Sequence, residues 1–381
     1  MSNNNKLDQQ QKSPSLPAGR QVGDLGVLNL NKMSENINIA VTQAPPLGGR
    51  GVLKDTLNKL IQHRTLTRED AKNILKNIAA EKYNQSQVAA FMAVYMMRSI
   101  TPEELAGFRD ALIELCVPVD LSDFNTIDLC GTGGDGKDTF NISTLSSLVV
   151  AGAGYHVAKH GNYGVSSACG SSNVMEYFGY KFTNDQDILK RQMDKAGMIF
   201  MHAPLFHPAM KAVGPIRREL GMKTFFNLIG PLVNPSNPQN QITGVFDLET
   251  VRLYNYLFQQ TGKQFAILYS MDGYDEISLT GEFKMVTNTN DLMLTPEKIG
   301  LPRVKPEQLF GGHTIQEAAN IFKTVLEGNG TEAQNSAVYA NAGMAIKTMH
   351  PEKTFEQCIE EAKSSLLGGK AKKVLETLVN P

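Results

Sequence analysis

The sequence predicts an α/β protein: a small N-terminal all-helical domain, then a larger α/β domain whose mostly parallel central sheet is flanked by helices. Three observations predict it. Residues 51–117 carry apolar side chains at helical spacing. From residue 118 onward, short apolar runs alternate with amphipathic stretches, the pattern of strands joined by helical crossovers. A run of glycines joins the first of those strands to the first of those helices.

Residues 1–50 hold Gln9, Gln10, Gln11, Pro14, Pro17, Pro45 and Pro46 and no aromatic residue. Such a segment buries too little apolar area to offset its ordering entropy, so a disordered tail is expected, with Met33 an alternative start. Residues 51–122 form the expected helical domain. Leu53, Leu57, Leu60 and Ile61 share one helical face. Thr67 and Asp70 have the spacing of a capping box ahead of Ala71, Ile74, Leu75 and Ile78. Ser86 precedes Val88, Phe91, Met92, Tyr95 and Met96. Thr101-Pro102-Glu103-Glu104 combines a cap, a proline at the first helical position and an acid at the third.

Residues 123–381 form the expected α/β domain. Strands are predicted at 127–130, 155–159, 198–201, 242–246, 265–269 and 277–279. Helices are predicted at 143–153, 171–178, 187–196, 209–220 and 249–260, and helices dominate again from Thr314.

Composition bounds the function. With 381 residues the chain can hold two or three domains of roughly 150 residues and a sizeable core. Its 37 basic and 38 acidic residues leave a net charge of −1, which argues against a general nucleic-acid binder. No apolar run reaches the ~18 residues of a membrane span, and residues 1–11 lack the apolar stretch of a secretory signal. Cys116, Cys130, Cys169 and Cys358 form no CxxC pair, so a zinc site of the usual spacing is not expected. Scattered single cysteines suit a reducing compartment, and a cytoplasmic location is expected.

The most informative stretch is 130–144, Cys-Gly-Thr-Gly-Gly-Asp-Gly-Lys-Asp-Thr-Phe-Asn-Ile-Ser-Thr, between a strand and a helix. Glycines let backbone N–H groups approach a phosphate, and a helix N-terminus adds its positive end. Thr139, Asn141, Ser143 and Thr144 add side-chain donors. The loop also fits a dinucleotide fingerprint, but that needs an acid closing the second strand. Lys159-His160-Gly161-Asn162 stands there instead, and a cation favours a phosphate-rich ligand. A P-loop ending, Gly-Lys-Ser/Thr, is missing.

Together these blocks resemble the anthranilate phosphoribosyltransferase family. The loop 131–144 is similar to its phosphoribosyl pyrophosphate motif, and 159–162 to its second motif. The runs 206–211 (Phe-His-Pro-Ala-Met-Lys), 216–221 (Ile-Arg-Arg-Glu-Leu-Gly) and 226–235 (Phe-Asn-Leu-Ile-Gly-Pro-Leu-Val-Asn-Pro) resemble its third block. The run 272–278 (Asp-Gly-Tyr-Asp-Glu-Ile-Ser) resembles its metal motif, and the similarity spans about 51–350 in one order.

The resemblance implies transfer of a 5-phosphoribosyl group to the amino group of anthranilate, with release of pyrophosphate, in tryptophan biosynthesis. It implies a homodimer formed through helices, no nucleic-acid or membrane partner, and returning helices near 204–232 that join the helical domain. It implies donor contacts at Gly131, Gly134, Asp135, Thr139, Asn141, Ser143, Thr144, Lys159 and Ser171. Acceptor contacts fall on Gly131, Asn162, Arg217 and His207, and catalytic roles on Lys159 and His160. Magnesium ligands are Ser143, Asp275 and Glu276, the carboxylates standing just before the strand expected at 277–279. Read alone, an Asp-Glu pair is a solvated loop and Arg217-Arg218 a charged helix face; their company changes that reading. Chemically, a polyanionic leaving group asks for electrostatic stabilisation, and a guanidinium suits a carboxylate. His160 is the candidate for removing the amine proton. His156 and His202 read as structural.

Two departures stand out: Tyr163 where the family often has Arg, and Asn173 where it often has an acid. Competing expectations are a pyrimidine nucleoside phosphorylase, whose phosphate loop differs, and a non-enzymatic nucleic-acid-binding relative, which the net charge disfavours.

Overall fold

Residue 101 shows how the chain builds its helices. In the computed structural model, which describes residues 50–164 and 168–380, the Thr101 hydroxyl accepts the Glu104 N–H while the Glu104 carboxylate accepts the Thr101 N–H, a closed capping box. It starts α4 (Pro102–Leu115), preceded by α1 (Arg50–Ile61), α2 (Arg68–Ala79) and α3 (Gln85–Met97). Thr67 caps α2 through the Asp70 N–H, and Asn84 caps α3 through the Gln87 N–H. The tail expected at residues 1–50 lies outside the described residues, apart from the first residue of α1.

The Glu104 carboxylate does more than cap. It is fully buried and paired with Arg98 at 2.5 Å. It also accepts the Leu66 N–H (2.9 Å) and the Tyr95 hydroxyl (3.1 Å), tying the approach to α2 and the end of α3 onto α4. Burial pushes its pKa up, but Arg98 and the N–H groups of Thr101 and Leu66 outweigh that and hold it below the usual range.

The larger part contains one seven-stranded sheet among the described residues. The strands are β1 (Thr126–Gly131), β2 (His156–Gly161), β3 (Met198–His202), β4 (Asn240–Gly244), β5 (Gln264–Ser270), β6 (Phe283–Thr287) and β7 (Asp291–Leu294). Their spatial order is β3-β2-β1-β4-β5-β6-β7, parallel through β5 and antiparallel at β6 and β7. Intervening helices are α5 (Ile142–Gly152), α6 (Ser171–Tyr177), α7 (Gln186–Ala196), α8 (Ala203–Phe206), α9 (Gly214–Leu220) and α10 (Leu248–Gln259). Four more close the chain: α11 (Ile315–Leu326), α12 (Glu332–Met349), α13 (Phe355–Leu367) and α14 (Lys370–Val379).

Period-two alternation decides which helices cover which face. In β5, Ala266 and Leu268 join the core under α5 and α12, whereas Phe265 and Ile267 join the core shared with the helical bundle and α10. In β3, Met198 and Phe200 face the first core and Ile199 and Met201 a third, smaller one. Val213, Ile216, Phe225, Phe226, Ile229 and Leu232 pack into the bundle's core from the segment that follows β3.

Two expected elements differ. The run 277–279 is not a strand: the Ile277 N–H and carbonyl both bond the buried Asn341 side chain at 3.0 and 2.9 Å, and Leu279 has φ 62°. The sheet instead continues with β6 and β7. The helix expected at 209–220 is interrupted, a 3₁₀ turn (Pro208–Lys211) giving way to α9 at Gly214-Pro215. Proline has no N–H to continue the earlier turn.

Glu104→Ala leaves the Arg98 guanidinium, the buried Leu66 N–H and the half-buried Thr101 N–H without their acceptor, and is expected to cost about 3–5 kcal/mol in urea unfolding. Because the Glu104 pKa is lowered, its stabilisation is present above the ordinary value of 4.5 and is lost as pH falls through the lowered value. The gap between wild type and variant therefore narrows in unfolding measured at acid pH.

Candidate active site

The parallel order reverses direction between β1 and β4, so the crevice at their carboxyl ends is where a doubly wound sheet places a ligand. A cavity of about 350 Å³ opens there. The register pairs Gly131 at the end of β1 with Gly244 at the end of β4. The chain carrying Asp275 crosses directly over this pair. A Cβ on Gly244 would stand 1.3 Å from the Asp275 carbonyl oxygen, and one on Gly131 2.4 Å from Asp275 Oδ2. Only glycine leaves this passage open.

The loop after β1 is fastened at both ends. Thr132 N–H donates to the Gly244 carbonyl (3.0 Å) and Gly133 N–H to Asp275 Oδ2 (2.7 Å). It leads into α5, whose cap residue Asn141 bonds the Cys169 carbonyl at 2.9 Å and makes no side-chain bond to the helix. In the first turn of α5 the Ile142 N–H bonds the Phe140 carbonyl, and the N–H groups of Ser143 and Thr144 remain for another acceptor on the cavity wall.

Asp135, Asp275 and Glu276 place carboxylate oxygens within 4.8 Å of one another. Burial, then the charge of Asp135, pushes Asp275 up to about 6; burial and both neighbours push Glu276 well above its usual range. The buried Glu276 Oε2 has no hydrogen-bond partner. Hard oxygen donors that repel one another and keep a free lone pair suit a divalent cation such as magnesium. Ser143, expected with Asp275 and Glu276, lines a small adjoining space of about 20 Å³ with them; Asp135 is the carboxylate the fold adds.

Lys159 is buried at the end of β2, donating to the Leu129 carbonyl (2.6 Å) and reaching Ser143 Oγ (3.4 Å). Burial pushes its ammonium below the usual range, and Asp128 opposes this. Burial brings His160 down to about 3, so its ring is neutral at pH 7, and its buried Nε2 has no partner.

Of the expected contacts, Gly131, Gly134, Asp135, Thr139, Asn141, Ser143, Thr144, Lys159, His160, Asn162, Ser171, Arg217, Asp275 and Glu276 all line the cavity. His207 does not; it is buried with its ring centre 5.1 Å from that of His160. His202 bonds Ser172 (2.8 Å) and stacks on Phe182, and His156 packs on Phe124.

Arg217 projects from α9, with its guanidinium 5.4 Å from the Phe226 ring centre and Nη2 3.4 Å from Asn227 Oδ1. Asn227 and Pro231 line the same wall and were not singled out individually. Lys223, whose ammonium donates to the Gly134 carbonyl, was also missed, because nothing local marks a lysine 89 residues away as the loop's partner.

The two departures meet at the mouth. The Asn173 side-chain oxygen accepts the N–H groups of Gly164 and Gly170, both at 3.0 Å. Tyr163 lines the cavity, its ring edge on His202 at 4.7 Å and its hydroxyl on Glu176 at 3.3 Å. A carboxylate at 173 could accept the same two bonds but would add a charge that Tyr163 cannot pair.

Comparison with known proteins agrees with this geometry. Residues 54–116 match the helical bundle domain of a glycosyl transferase family and residues 123–372 its a/b domain. The chain is a glycosyltransferase of that two-part class, specifically a pentosyltransferase. An anthranilate phosphoribosyltransferase from Flavobacterium psychrophilum is 60% identical over 326 residues, 86% of this chain and 98% of its own. That of Flavobacterium johnsoniae is 58% identical over 329 residues, with the same coverages of 86% and 98%. The crystal structure of the Thermus thermophilus enzyme superimposes with a TM-score of 0.80 at 32% identity, covering 86% of this chain and 98% of that one. A Saccharomyces cerevisiae structure in complex with PRPP and Mg shares the fold, with a TM-score of 0.79 at 24% identity and coverage of 87% and 97%. The chain belongs to the anthranilate phosphoribosyltransferase family.

Gly244→Ala should displace the Asp275 backbone, destabilising the protein by about 1–3 kcal/mol in urea unfolding and removing most activity. Magnesium should raise the melting temperature at pH 7.5, and less at pH 5. With raised pKa values, protons compete with the cation below about 6, and above it the cation relieves the repulsion of the ionised carboxylates. Asp275→Asn combined with Glu276→Gln should abolish the magnesium effect in the same thermal measurement.

Proposed function

We propose that this protein transfers the 5-phosphoribosyl group of phosphoribosyl pyrophosphate to the amino group of anthranilate, forming N-(5-phosphoribosyl)anthranilate and pyrophosphate. One observation carries the reading: a single cavity joins a glycine loop and an uncapped helix N-terminus, a carboxylate cluster, and an arginine with a neighbouring amide on the opposite wall.

The donor's phosphates lie along Gly131, Gly134, Thr139, Asn141, Ser143 and Thr144, with Lys159 and Ser171 as further donors and Asp135 near the ribose hydroxyls. Arg217 takes the anthranilate carboxylate, and Asn162 with the Gly131 backbone orients its ring. The amine lone pair attacks C1 of the ribose. The bond from C1 to pyrophosphate oxygen breaks, and pyrophosphate leaves with the electron pair. An aniline nitrogen is unprotonated at neutral pH, so orientation and stabilisation of the leaving charge dominate. Magnesium, held by Ser143, Asp275 and Glu276 with Asp135 beside them, supplies charge neutralisation on the phosphate oxygens when bound.

His160, neutral and with a free Nε2, serves as a hydrogen-bond acceptor at the amine; its low pKa makes it a weak base. His207 acts behind it, setting the position of the His160 ring.

The chain divides into a helical domain, 51–122 with 204–232, and an α/β domain from 123; the apolar core shared by α2, α3, α4 and the segment after β3 supports this division. A homodimer through that domain is part of the proposal, with Ile61 and Met97 exposed on the bundle. A cytoplasmic location fits the scattered free cysteines, and the net charge of −1 argues against a nucleic-acid partner.

Purified protein with magnesium, phosphoribosyl pyrophosphate and anthranilate should consume anthranilate fluorescence; well-folded protein that does not would refute the reading. Arg217→Ala should raise the anthranilate KM at least about tenfold with little change in donor KM, the size of a lost charge-assisted contact. Glu276→Gln should impair use of the donor and its magnesium dependence. Steady-state kinetics with each substrate varied distinguishes the two.

A further inference from the structure

Lys223 takes no part in the chemistry described so far. It lies between Gly221, the left-handed cap of α9, and the 3₁₀ turn Phe225–Leu228. Its ammonium donates to the Gly134 carbonyl and sits 5.2 Å from the centre of the Phe246 ring. Neither contact is with a carboxylate. A surface lysine gives up rotamer freedom when it is held in place, so a structure that fixes one against a lone carbonyl calls for a reason.

Gly134 has φ 79°, and a Cβ there would stand 3.3 Å from Lys223 Cε, so the lysine stem packs flat on the glycine. Gly134 and Asp135 line the cavity and Lys223 does not, so the Gly134 carbonyl is held by a group outside the cavity lining. In a trans peptide the carbonyl and the following N–H point in opposite directions. Pinning the Gly134 carbonyl outward therefore aims the Asp135 N–H inward, toward the space assigned to the donor's phosphates. The loop's other ties lie to either side, Thr132 to Gly244 and Gly133 to Asp275 before it and Asp138 to Gly311 and Phe140 to Leu309 after it, and the Asp135 carboxylate accepts the Asp275 N–H at 3.4 Å; none of them holds the Gly134 carbonyl.

The same lysine joins the two ends of the cavity. Its segment carries Arg217 and Asn227, and the Asn227 side-chain oxygen accepts both the Thr224 N–H (3.1 Å) and Arg217 Nη2 (3.4 Å).

We propose that Lys223 is a positioning residue for the phosphoribosyl donor: it holds the Gly134–Asp135 peptide with its N–H facing the cavity, and places a positive charge behind the loop that meets the polyanion. The inference rests on the reading of the cavity as a phosphoribosyl pyrophosphate site.

The test compares wild type, Lys223→Met and Lys223→Arg in steady-state kinetics with each substrate varied. Calorimetric titration with magnesium pyrophosphate runs in parallel. In Lys223→Met the donor KM and the pyrophosphate Kd should both rise about tenfold, while the anthranilate KM stays within about twofold. Lys223→Arg, which keeps charge and donor, should recover most of the loss. With the charge gone, the donor KM of Lys223→Met should also depend less on salt than that of wild type. Unchanged donor KM and pyrophosphate Kd in Lys223→Met would overturn the proposal. So would a loss shared equally by both substrates that arginine does not repair. The calorimetric arm needs no acceptor, so it judges Lys223 separately from the functional reading, which fails only if wild type leaves anthranilate unconsumed.

Discussion

The architecture of the site depends on one close approach: the backbone at Asp275 crossing the ends of β1 and β4 where Gly131 and Gly244 lie side by side in register. Two adjacent strands without Cβ atoms make a notch at the carboxyl edge of the sheet. The chain returning from β5 drops into it, and Asp275 then takes the Gly133 N–H, which fastens the glycine loop over the same edge. Loop shape and carboxylate position are therefore two consequences of one packing event. A side chain at either glycine would disturb both.

The buried carboxylate of the bundle and the buried polar groups of the cavity are treated differently. Around Glu104 every hydrogen-bonding capacity of the carboxylate is used, and the result is rigid: a charge removed from water is matched by a guanidinium, two hydroxyls and two backbone N–H groups. Around the cavity the same kind of group is left open. Glu276 Oε2, His160 Nε2 and the Thr144 hydroxyl are buried and unpaired. Leaving a buried polar atom unmatched costs about 1–3 kcal/mol, and the protein tolerates this where a ligand completes the set. The helical bundle, stapled together by Glu104, is the firm wall against which the segment carrying Arg217 and Phe226 is packed.

The sheet's topology sets which segments can meet. Because β1 lies between β2 and β4, the residues that end these strands, Lys159 and His160 from β2 and the glycine loop from β1, are neighbours without being close in sequence. Helix α5 adds its N-terminus from the same side. The acceptor wall comes from a different layer, the excursion after β3 that leaves the sheet to join the bundle's core. One cavity thus brings together an electropositive edge, a carboxylate cluster and an aromatic-backed arginine from three parts of the chain.

Much of this was legible from the sequence where the signal is local. Helical periodicity and the Thr101–Glu104 cap determined the bundle, and short apolar runs determined the parallel strands. The glycine loop with its hydroxyls announced an anion site within fifteen residues. Periodicity could not tell a strand from a buried irregular run, so 277–279 was misplaced: the Asn341 side chain, 64 residues away, takes the bonds that a strand partner would have taken. Nor could it separate His160 from His207, since both are histidines in similar surroundings and only packing puts one on the wall and the other behind it. The sequence by itself determined which chemical groups are available and which secondary structures carry them. Only the tertiary structure decided that Asp135 stands with Asp275 and Glu276, and that Lys223 holds Gly134. Those pairings span 140 and 89 residues, and contact at such separation is set by how layers pack, which no local pattern encodes.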